Sequence, residues 1–384
     1  FRPAFVRRRA TAVAGWKAAR EEPFMPRNPE LTSADGRQTK LVYTGQQSLP
    51  AERCLQMLGL MVRARVMEER MIKMSKSGMG YFWIGGPGEE AFNICLGLQV
   101  RKGQGPAYDY LHLHYRNSAT LVAMGMDLIE GVRQMAMTST DVNSMGRNFV
   151  GHYARKHANV IPITSVVEMQ YLMAPGTAHV QKRHGGEGIT VVCGGEAGTA
   201  EGDFASCLVW STRPGQELPV LIVVMNNQYG ISTPAATQHG ERHVIDRGKA
   251  FGIPGEVVDG NDPIASWHAV QRGFEHCRTE RKPYMIEAFV SRLYGHSSSS
   301  GALRVEGEPD CIEIFERKLL REQVLADAEM RKIHDDAEQE VEQAFDQALD
   351  EPVATAADIP KFTYAPSKVD RVYPDDYTGL PKSE

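Results

Sequence analysis

Two apolar runs stand out in the hydrophobic pattern of the chain. Residues 189–193 (ITVVC) end in glycines, and residues 218–225 (LPVLIVVM) end in two asparagines. The segment between the runs is long enough for a helix and closes at Pro214-Gly215. Continuous β-branched runs of this length are typical of buried parallel strands. The pattern therefore predicts a strand–helix–strand unit at the centre of the chain.

Strand and helix patterns alternate on both sides of this unit. Apolar residues at helical spacing predict helices over residues 48–74, 119–137 and 263–277, and residues 284–290 show the pattern of another buried strand. Residues 311–349 are charged and helical, with apolar positions facing inward. This alternation predicts an α/β fold, a doubly wound and mostly parallel sheet flanked by helices.

Composition divides the chain into three parts. Residues 1–50 are expected to form an extended N-terminal arm, residues 51–310 the α/β domain, and residues 311–384 a helical C-terminal extension with a proline-rich tail. Residues 1–20 are basic and contain no acid, which fits either the remnant of an organellar transit peptide or a solvated basic arm. We expect the arm and the tail to contact a partner subunit.

Charge and cysteine content exclude several classes of protein. A net charge of -5 argues against general nucleic-acid binding. No apolar run approaches the roughly 18 residues that a membrane span requires. The six cysteines are scattered without a CxxC spacing. They predict reduced thiols in a reducing compartment, the bacterial cytoplasm ahead of the mitochondrial matrix.

Candidate chemistry lies where the two central strands end. Glu196 follows the first strand, and Asn226 and Asn227 follow the second. Ligands bind outside the carboxyl ends of parallel strands, so a carboxylate and an amide oxygen should converge there. Glycines at positions 194, 195 and 198 would let the backbone approach a ligand closely. Oxygen ligands of this kind suit Mg²⁺, which usually carries phosphate oxygens as well.

The motifs around these residues resemble the α subunit of the thiamine-diphosphate-dependent 2-oxo acid dehydrogenases of the pyruvate and branched-chain type. The family pattern Gly-Asp/Glu-Gly followed by Asn-Asn stands here as Gly195-Glu196-Ala197 and Asn226-Asn227. Further motifs in matching order are GMGYFWIGGPGEEA at residues 78–91, Tyr115-Arg116, and GHS at residues 295–297. The resemblance implies the thiamine-diphosphate-binding fold.

The resemblance implies thiamine diphosphate and Mg²⁺ as cofactors and assigns residues to each. Glu196, Asn227 and the backbone carbonyl of Tyr229 would bind the metal. Tyr115 and Arg116 would bind the diphosphate, for which a fork-shaped guanidinium is well suited.

His296 is the catalytic residue that the resemblance implies, in a loop near the reacting carbon. Phe82 would lie beside the substrate pocket, and Ser165 and Val167 beside the aminopyrimidine ring. The full set of cofactor-binding residues that the resemblance implies is Phe82, Tyr115, Arg116, Ser165, Val167, Gly195, Glu196, Ala197, Gly198, Asn227, Tyr229 and His296.

The resemblance further implies an enzyme, a 2-oxo acid dehydrogenase that transfers the acyl group to the lipoyl groups of an acyltransferase. Its substrate would be 3-methyl-2-oxobutanoate, from branched-chain amino acid catabolism, ahead of pyruvate. Thiamine diphosphate needs a carboxylate at its aminopyrimidine ring, and the sequence shows no candidate for it. In the family a β subunit supplies this group, which implies a heterotetramer of two α and two β subunits.

Two other interpretations stay open. A strand, a glycine-rich turn and a helix also describe a nicotinamide-dinucleotide-binding oxidoreductase, although no G-x-G-x-x-G follows a candidate strand. The second is a non-catalytic relative of the enzyme. The departures from the family pattern that favour it are Val166, Ala197, Met225 and Ser300. Glu168 is a further departure, in the loop that carries Ser165.

Overall fold

The computed structural model describes residues 31–32 and 38–358, with side chains from Lys40 onward. The basic segment at residues 1–20, most of the predicted arm and the tail after residue 358 lie outside the described residues. A short antiparallel pair, Leu31–Thr32 with Gln38–Thr39, belongs to a small unit that ends at Leu41. The main unit begins at Val42.

The strands in the described part of the chain are β1 (Leu31–Thr32), β2 (Gln38–Thr39), β3 (Leu41–Thr44), β4 (Gln47–Pro50), β5 (Tyr110–His112), β6 (Thr190–Gly195), β7 (Val220–Asn226), β8 (Tyr229–Gly230), β9 (Thr233–Pro234), β10 (Gly255–Asp259) and β11 (Tyr284–Phe289). The α-helices are α1 (Ala51–Ser77), α2 (Glu90–Gln99), α3 (Ser118–Ala123), α4 (Leu128–Ala136), α5 (Met169–Arg183), α6 (Gly202–Ser211), α7 (Ile245–Ala250), α8 (Pro263–Glu280), α9 (Cys311–Arg321) and α10 (Asp327–Leu349). None of these helices combines the length and the apolar character that crossing a membrane requires.

Five of the strands form one parallel sheet in the order β10-β11-β7-β6-β5. Every residue of β6 and β7 is buried, which explains why their sequences are continuous apolar runs. Along β7, positions 220, 222 and 224 pack in a cluster with α5 and α6, and positions 221, 223 and 225 pack in a second cluster with α1, α2 and α8. Helices therefore cover both faces, and the predicted doubly wound parallel sheet is confirmed.

Local sequence fixes the ends of two long helices. Pro50 precedes the first turn of α1, and Gly78 ends this helix in the left-handed conformation, with φ of 74°. Helix α8 begins after Asp262, whose carboxylate accepts the N–H groups of Ile264 and Ala265 at 2.8 and 3.1 Å. Asp262 lies three residues after the end of β10, so this cap also fixes where α8 begins relative to the sheet.

The single helix predicted over residues 119–137 is in fact two helices, α3 and α4. Gly125 lies between them in the left-handed region, with φ of 92°. The N–H of Met126 donates to the carbonyl of Leu121 at 2.9 Å, which closes the end of α3. The helical pattern over residues 311–349 is also divided, into α9 and α10, near Gln323, which has φ of 54°.

A buried ion triad joins α1, α2 and the start of α9. The Arg65 guanidinium donates to Glu90 Oε1 at 2.6 Å and to Asp310 Oδ2 at 2.8 Å. Asp310 also accepts the N–H of Ile312 at 3.0 Å and so caps α9. All three charged side chains are buried. Each charge therefore depends on its partners for compensation.

Replacing Arg65 by alanine is expected to lower the free energy of unfolding by about 3 kcal/mol or more, because Glu90 would stay buried without its cation and Asp310 would keep only its contact with the partly exposed Arg304. Chemical denaturation measures this difference. The control is Lys332→Ala, which removes an exposed partner of Asp336 and should cost about 0.5 kcal/mol or less. Equal losses in the two variants would contradict the role of the triad.

Candidate functional site

A cavity of about 470 Å³ opens at the carboxyl edge of the sheet, the edge at which parallel α/β sheets bind ligands. Segments that follow three neighbouring strands line it: residues 114–116 after β5, 195–198 after β6 and 229–231 after β7. The loop at residues 164–168 forms another wall. Further lining residues are Phe82, Ile84, Phe149, His152, Gln170, Glu201, Gln238 and His296.

Glu196 and Asn227 come together at this edge. Strands β6 and β7 pair in parallel with Gly195 opposite Met225, so the residues that follow them are neighbours. The N–H of Asn227 donates to Glu196 Oε2 at 3.3 Å, and Asn227 Oδ1 accepts the N–H of Tyr229 at 3.1 Å. Glu196 and the backbone of Asn227 therefore meet at this edge, and the role of the Asn227 side-chain oxygen as a metal ligand stays a prediction.

One oxygen of Glu196 has no hydrogen-bond partner within the described residues. This atom, Oε1, is buried, and burial raises the pKa of the carboxyl although the charge of Arg116 opposes the shift. A buried polar atom without a partner is costly, so the site is suited to a cation at this oxygen. Asn226 is engaged elsewhere, because its amide donates to Glu287 Oε1 at 2.7 Å.

A buried guanidinium lines the cavity near Glu196. Arg116 Nη1 donates to the Tyr115 hydroxyl at 2.8 Å, and Arg116 Nε lies 2.8 Å from Glu89 Oε1. Burial opposes the charge of Arg116, but Tyr115, Glu89 and Glu196 raise its pKa above the ordinary value. Burial raises the pKa of Glu89 to about 7, against the opposing charge of Arg116. The cavity thus contains a charged, pre-oriented donor for an anionic group.

His296 lies beside Tyr115, with their ring centroids 6.1 Å apart in an edge-to-face arrangement. Burial, together with the charges of Arg116 and Arg292, lowers the pKa of His296 to about 4. The imidazole is therefore neutral near pH 7 and offers one donor and one acceptor nitrogen.

A further wall of the cavity combines a serine, a histidine and two phenylalanines. Ser165 Oγ lies 2.7 Å from His152 Nε2, and His152 Nδ1 lies 3.1 Å from the Phe149 carbonyl oxygen. A carbonyl only accepts, so Nδ1 carries the proton and Nε2 accepts from the Ser165 hydroxyl. Burial lowers the pKa of His152, which favours this neutral form. Phe82 packs edge-on against Phe149, with centroids 5.1 Å apart.

Two glycines near the end of β6, Gly194 and Gly198, have a different structural role from the one that we predicted. The side chain of Glu168 fills the space beside Gly194 and Gly198, where added Cβ atoms would lie 2.1 and 1.9 Å from its carboxyl oxygens. The N–H of Gly195 donates to Glu168 Oε1 at 3.3 Å. The expectation that these glycines let a ligand approach is therefore corrected for positions 194 and 198, because a buried carboxyl occupies that space.

The family model for the dehydrogenase E1 component matches residues 58–357 of this chain. The chain belongs to the dehydrogenase E1 component family. The resemblance to α subunits of the branched-chain and pyruvate type is confirmed, and the family depends on thiamine diphosphate. Membership of the E1 family argues against the nicotinamide-dinucleotide alternative.

The individual relatives are α subunits of 2-oxoisovalerate dehydrogenases and of pyruvate dehydrogenases. The 2-oxoisovalerate dehydrogenase subunit alpha of Bacillus subtilis (strain 168) is 27% identical over 325 residues, which cover 83% of this chain and 97% of the relative. The pyruvate dehydrogenase E1 component subunit alpha of the same strain is 26% identical over 314 residues, which cover 79% of this chain and 80% of the relative. The mitochondrial 2-oxoisovalerate dehydrogenase subunit alpha 2 of Arabidopsis thaliana is 30% identical over 244 residues, or 64% of this chain, and the match spans 50% of its length.

The structure brings together nearly all the residues that the E1 resemblance implies. Asn227 alone among them does not line the cavity; it is buried and bound to Glu196. Those that line the cavity are Phe82, Tyr115, Arg116, Ser165, Val167, Gly195, Glu196, Ala197, Gly198, Tyr229 and His296.

Of the four departures from the E1 pattern, two line the cavity and two do not. Met225 is buried in the sheet, and Ser300 donates to the Ser297 carbonyl at 2.9 Å; neither lines the cavity. Val166 and Ala197 do line it, and Val166 is 60% exposed. None of these positions supplies the carboxylate, the amide or the guanidinium described above.

Three carboxyls that line or adjoin the cavity were not assigned a site role from the sequence: Glu89, Glu168 and Glu201. Glu89 holds Arg116, and the Gly-Glu-Glu-Ala motif at residues 88–91 was the signal that could have identified it. Glu168 lines the cavity, and its place in the loop of Ser165 and Val167 was the only sequence signal.

Proposed function

We propose that this chain is the α subunit of a 2-oxo acid dehydrogenase that binds thiamine diphosphate with Mg²⁺ and takes part in oxidative decarboxylation. The observation that carries the proposal is the buried Oε1 of Glu196, which has no hydrogen-bond partner among the residues that the structure describes. Glu196 contacts Asn227 and lines a cavity that Arg116 also lines. When bound, thiamine diphosphate supplies the electron sink that decarboxylation of a 2-oxo acid needs.

The proposed metal site consists of oxygen atoms. Glu196, Asn227 and the backbone carbonyl of Tyr229 would hold Mg²⁺, which prefers such ligands and completes its shell with phosphate oxygens. Among the described residues, no group of three or more His, Cys, Asp or Glu side chains could hold a metal ion. The proposed set is of another kind, with one carboxylate, one amide and one carbonyl.

The proposed diphosphate site is pre-oriented by contacts within the chain. Glu89 holds Arg116 at Nε and Tyr115 holds it at Nη1. A guanidinium fixed in this way loses little freedom when an anionic ligand arrives. Tyr115 and Arg116 lie three and four residues after the end of β5, and both line the cavity.

The mouth of the cavity is the proposed contact for a β subunit. Val166, Val167 and Ile231 line the cavity and are 60%, 61% and 61% exposed. Adjacent apolar side chains at a cavity mouth are typical of a surface that a partner covers. We place the aminopyrimidine ring at this end, beside Ser165 and Val167, in an assembly of two α and two β subunits. A lipoyl acyltransferase would then receive the acyl group.

Cysteine chemistry supports the proposed compartment. All six cysteines are buried and free, as expected in a reducing environment. We place the protein in a bacterial cytoplasm ahead of a mitochondrial matrix, and the relatives include both bacterial and mitochondrial proteins.

The substrate comparison tests the proposed function. Co-expressed with a β subunit, the chain is expected to decarboxylate 3-methyl-2-oxobutanoate with a higher kcat/KM than pyruvate, by about 10-fold or more, since one or two apolar carbons contribute that much in a fitted pocket. An artificial electron acceptor reports the reaction. A preference for pyruvate would reverse the substrate order, and failure with every 2-oxo acid would overturn the function.

Substitutions at Arg116 and at His296 are expected to have different effects, one on cofactor binding and the other on turnover. Arg116→Ala is expected to weaken thiamine diphosphate binding by about 100-fold, since charge-assisted hydrogen bonds contribute about 1.5–3 kcal/mol. His296→Ala is expected to lower kcat by about 100-fold or more and to leave cofactor affinity largely unchanged. Calorimetry and steady-state kinetics on the assembled enzyme measure the two quantities.

The control for these variants is His184→Ala, an exposed histidine at the end of α5 that should change neither quantity. Full turnover in His296→Ala would refute the catalytic assignment. Unchanged cofactor affinity in Arg116→Ala would refute the diphosphate assignment.

A further inference from the structure

A second buried carboxyl lies in the cavity and has no part in the proposed function. Glu168 lines the cavity one residue before α5. Its Oε1 accepts the N–H of Gly195 and its Oε2 accepts the amide of Gln170, both at a long 3.3 Å. Arg116 makes its ion pair with Glu89 and not with Glu168. The carboxyl is thus only weakly compensated by the chain itself.

The backbone and the neighbouring glycines hold Glu168 in this position. Its φ is 63°, in the left-handed region that costs a non-glycine residue about 1–2 kcal/mol. Its carboxyl lies against Gly194 and Gly198, and a Cβ on Gly194 would also meet Tyr171. The close packing against these glycines holds the carboxyl of Glu168 at the end of β6.

Burial favours the neutral form of Glu168, and the charges around this carboxyl act in both directions. The titratable groups coupled to it are Tyr115, Arg116, Tyr171, Cys193, Glu196 and Asp203. Burial raises the pKa of Glu168 to about 8, the Gly195 N–H and Arg116 act against the shift, and Glu196 and Asp203 add to it. A neutral carboxylic acid has an O–H to donate, whereas a carboxylate would repel an anionic diphosphate.

Gly195 connects this carboxyl to the proposed diphosphate site. Glu168 Oε1 accepts the N–H of Gly195, and a Cβ on the same residue would lie 2.8 Å from Arg116 Nη2. Glu196, the proposed metal ligand, is the next residue in the chain. Glu168 therefore lies at the metal and diphosphate end of the cavity, beside the guanidinium.

We propose that Glu168 is a further cofactor-binding residue, which donates a hydrogen bond from its neutral acid form to a phosphate oxygen of the diphosphate. The inference rests on the proposed function, because it takes this cavity as the diphosphate site. The site would then combine one charged donor, Arg116, with one neutral donor whose proton is lost in alkaline solution.

Calorimetry on the assembled enzyme with excess Mg²⁺ tests the proposal, with thiamine diphosphate and with pyrophosphate as separate ligands. Glu168→Gln keeps a donor that cannot ionise, and Glu168→Ala removes it. At pH 6.5 we expect Glu168→Gln to bind like the wild type and Glu168→Ala to bind about 10-fold more weakly. At pH 9 the wild type should bind about 10-fold more weakly than Glu168→Gln and take up about one more proton on binding.

Equal weakness of the glutamine and alanine variants at pH 6.5 would overturn the proposal, as would the same pH dependence in the wild type and Glu168→Gln. An effect seen with thiamine diphosphate but not with pyrophosphate would place the carboxyl at the rings and also overturn it. Absence of Mg²⁺-dependent binding of either ligand to the wild type would instead overturn the proposed function. The test does not depend on the folding of Glu168→Ala, because Glu168→Gln keeps the side-chain volume.

Discussion

Expressed without a β subunit, this chain is expected to show no decarboxylation of a 2-oxo acid, and activity should appear when a β subunit is co-expressed. The aminopyrimidine ring needs a carboxylate partner, and none of the acidic residues that line the cavity has this role in the proposed function. Glu196 lies beside Asn227, Glu168 is enclosed against the end of β6, and Glu201 is exposed at the start of α6. Reduction of an artificial electron acceptor in the presence of a 2-oxo acid measures the difference.

Ligand binding by the lone chain is the control for this prediction. The proposed metal and diphosphate residues all belong to this chain, so Mg²⁺-dependent binding of pyrophosphate should persist without a partner. Full activity from the lone chain would contradict the prediction. Glu201 and Glu168 would then be the first residues to replace, because both line the cavity.

Replacing Glu196 by alanine is expected to weaken Mg²⁺-dependent binding of thiamine diphosphate by about 100-fold or more. Its Oε1 is a buried oxygen without a partner within the described residues, and Oε2 is tied to the Asn227 N–H. Removing one member of a buried charged contact costs about 3–5 kcal/mol, which corresponds to this loss. Calorimetric titration of the assembled enzyme, with and without a chelator, measures it.

Two further variants test whether the effect of Glu196→Ala is specific to the proposed metal site. Asn227→Ala should weaken binding in the same direction, because it removes an amide oxygen from the same site. Glu217→Ala, at a residue that precedes β7 and does not line the cavity, should leave binding unchanged. Cofactor binding that is equally tight in Glu196→Ala, or equally tight with excess chelator, would refute the metal site.

The sequence was sufficient to predict the central strand–helix–strand unit and the meeting of Glu196 and Asn227 at its edge. The runs that became β6 and β7 are apolar, β-branched and bounded by glycines or asparagines, and these are local signals that need no knowledge of the fold. Once the two strands are taken as parallel neighbours, Glu196 and Asn227 must lie at one edge. The N–H contact between them, at 3.3 Å, is the direct consequence.

Other features depend on contacts that no local pattern records. The break between α3 and α4 falls at Gly125. Because a helix tolerates a single glycine at modest cost, the apolar periodicity on both sides of Gly125 predicted one continuous helix. Glu168 is buried only because Gly194 and Gly198, far along the chain, leave room for its side chain. The Arg116 and Glu89 pair joins two loops in the same way. The Gly-Glu-Glu-Ala motif draws attention to Glu89, but the sequence does not show that its partner is Arg116.

The order of the sheet has a consequence for how the chain is made. Strand β10 is synthesised before β11, yet β11 is its only described partner and lies between it and β7. While β6 and β7 can pair as soon as Asn226 leaves the ribosome, β7 keeps one open edge until residues 284–289 follow. Open edges of apolar strands promote aggregation. Chains that stop between these points contain Glu196 and Asn227 but are expected to accumulate as insoluble protein, and slow translation across residues 227–283 should lower the soluble yield.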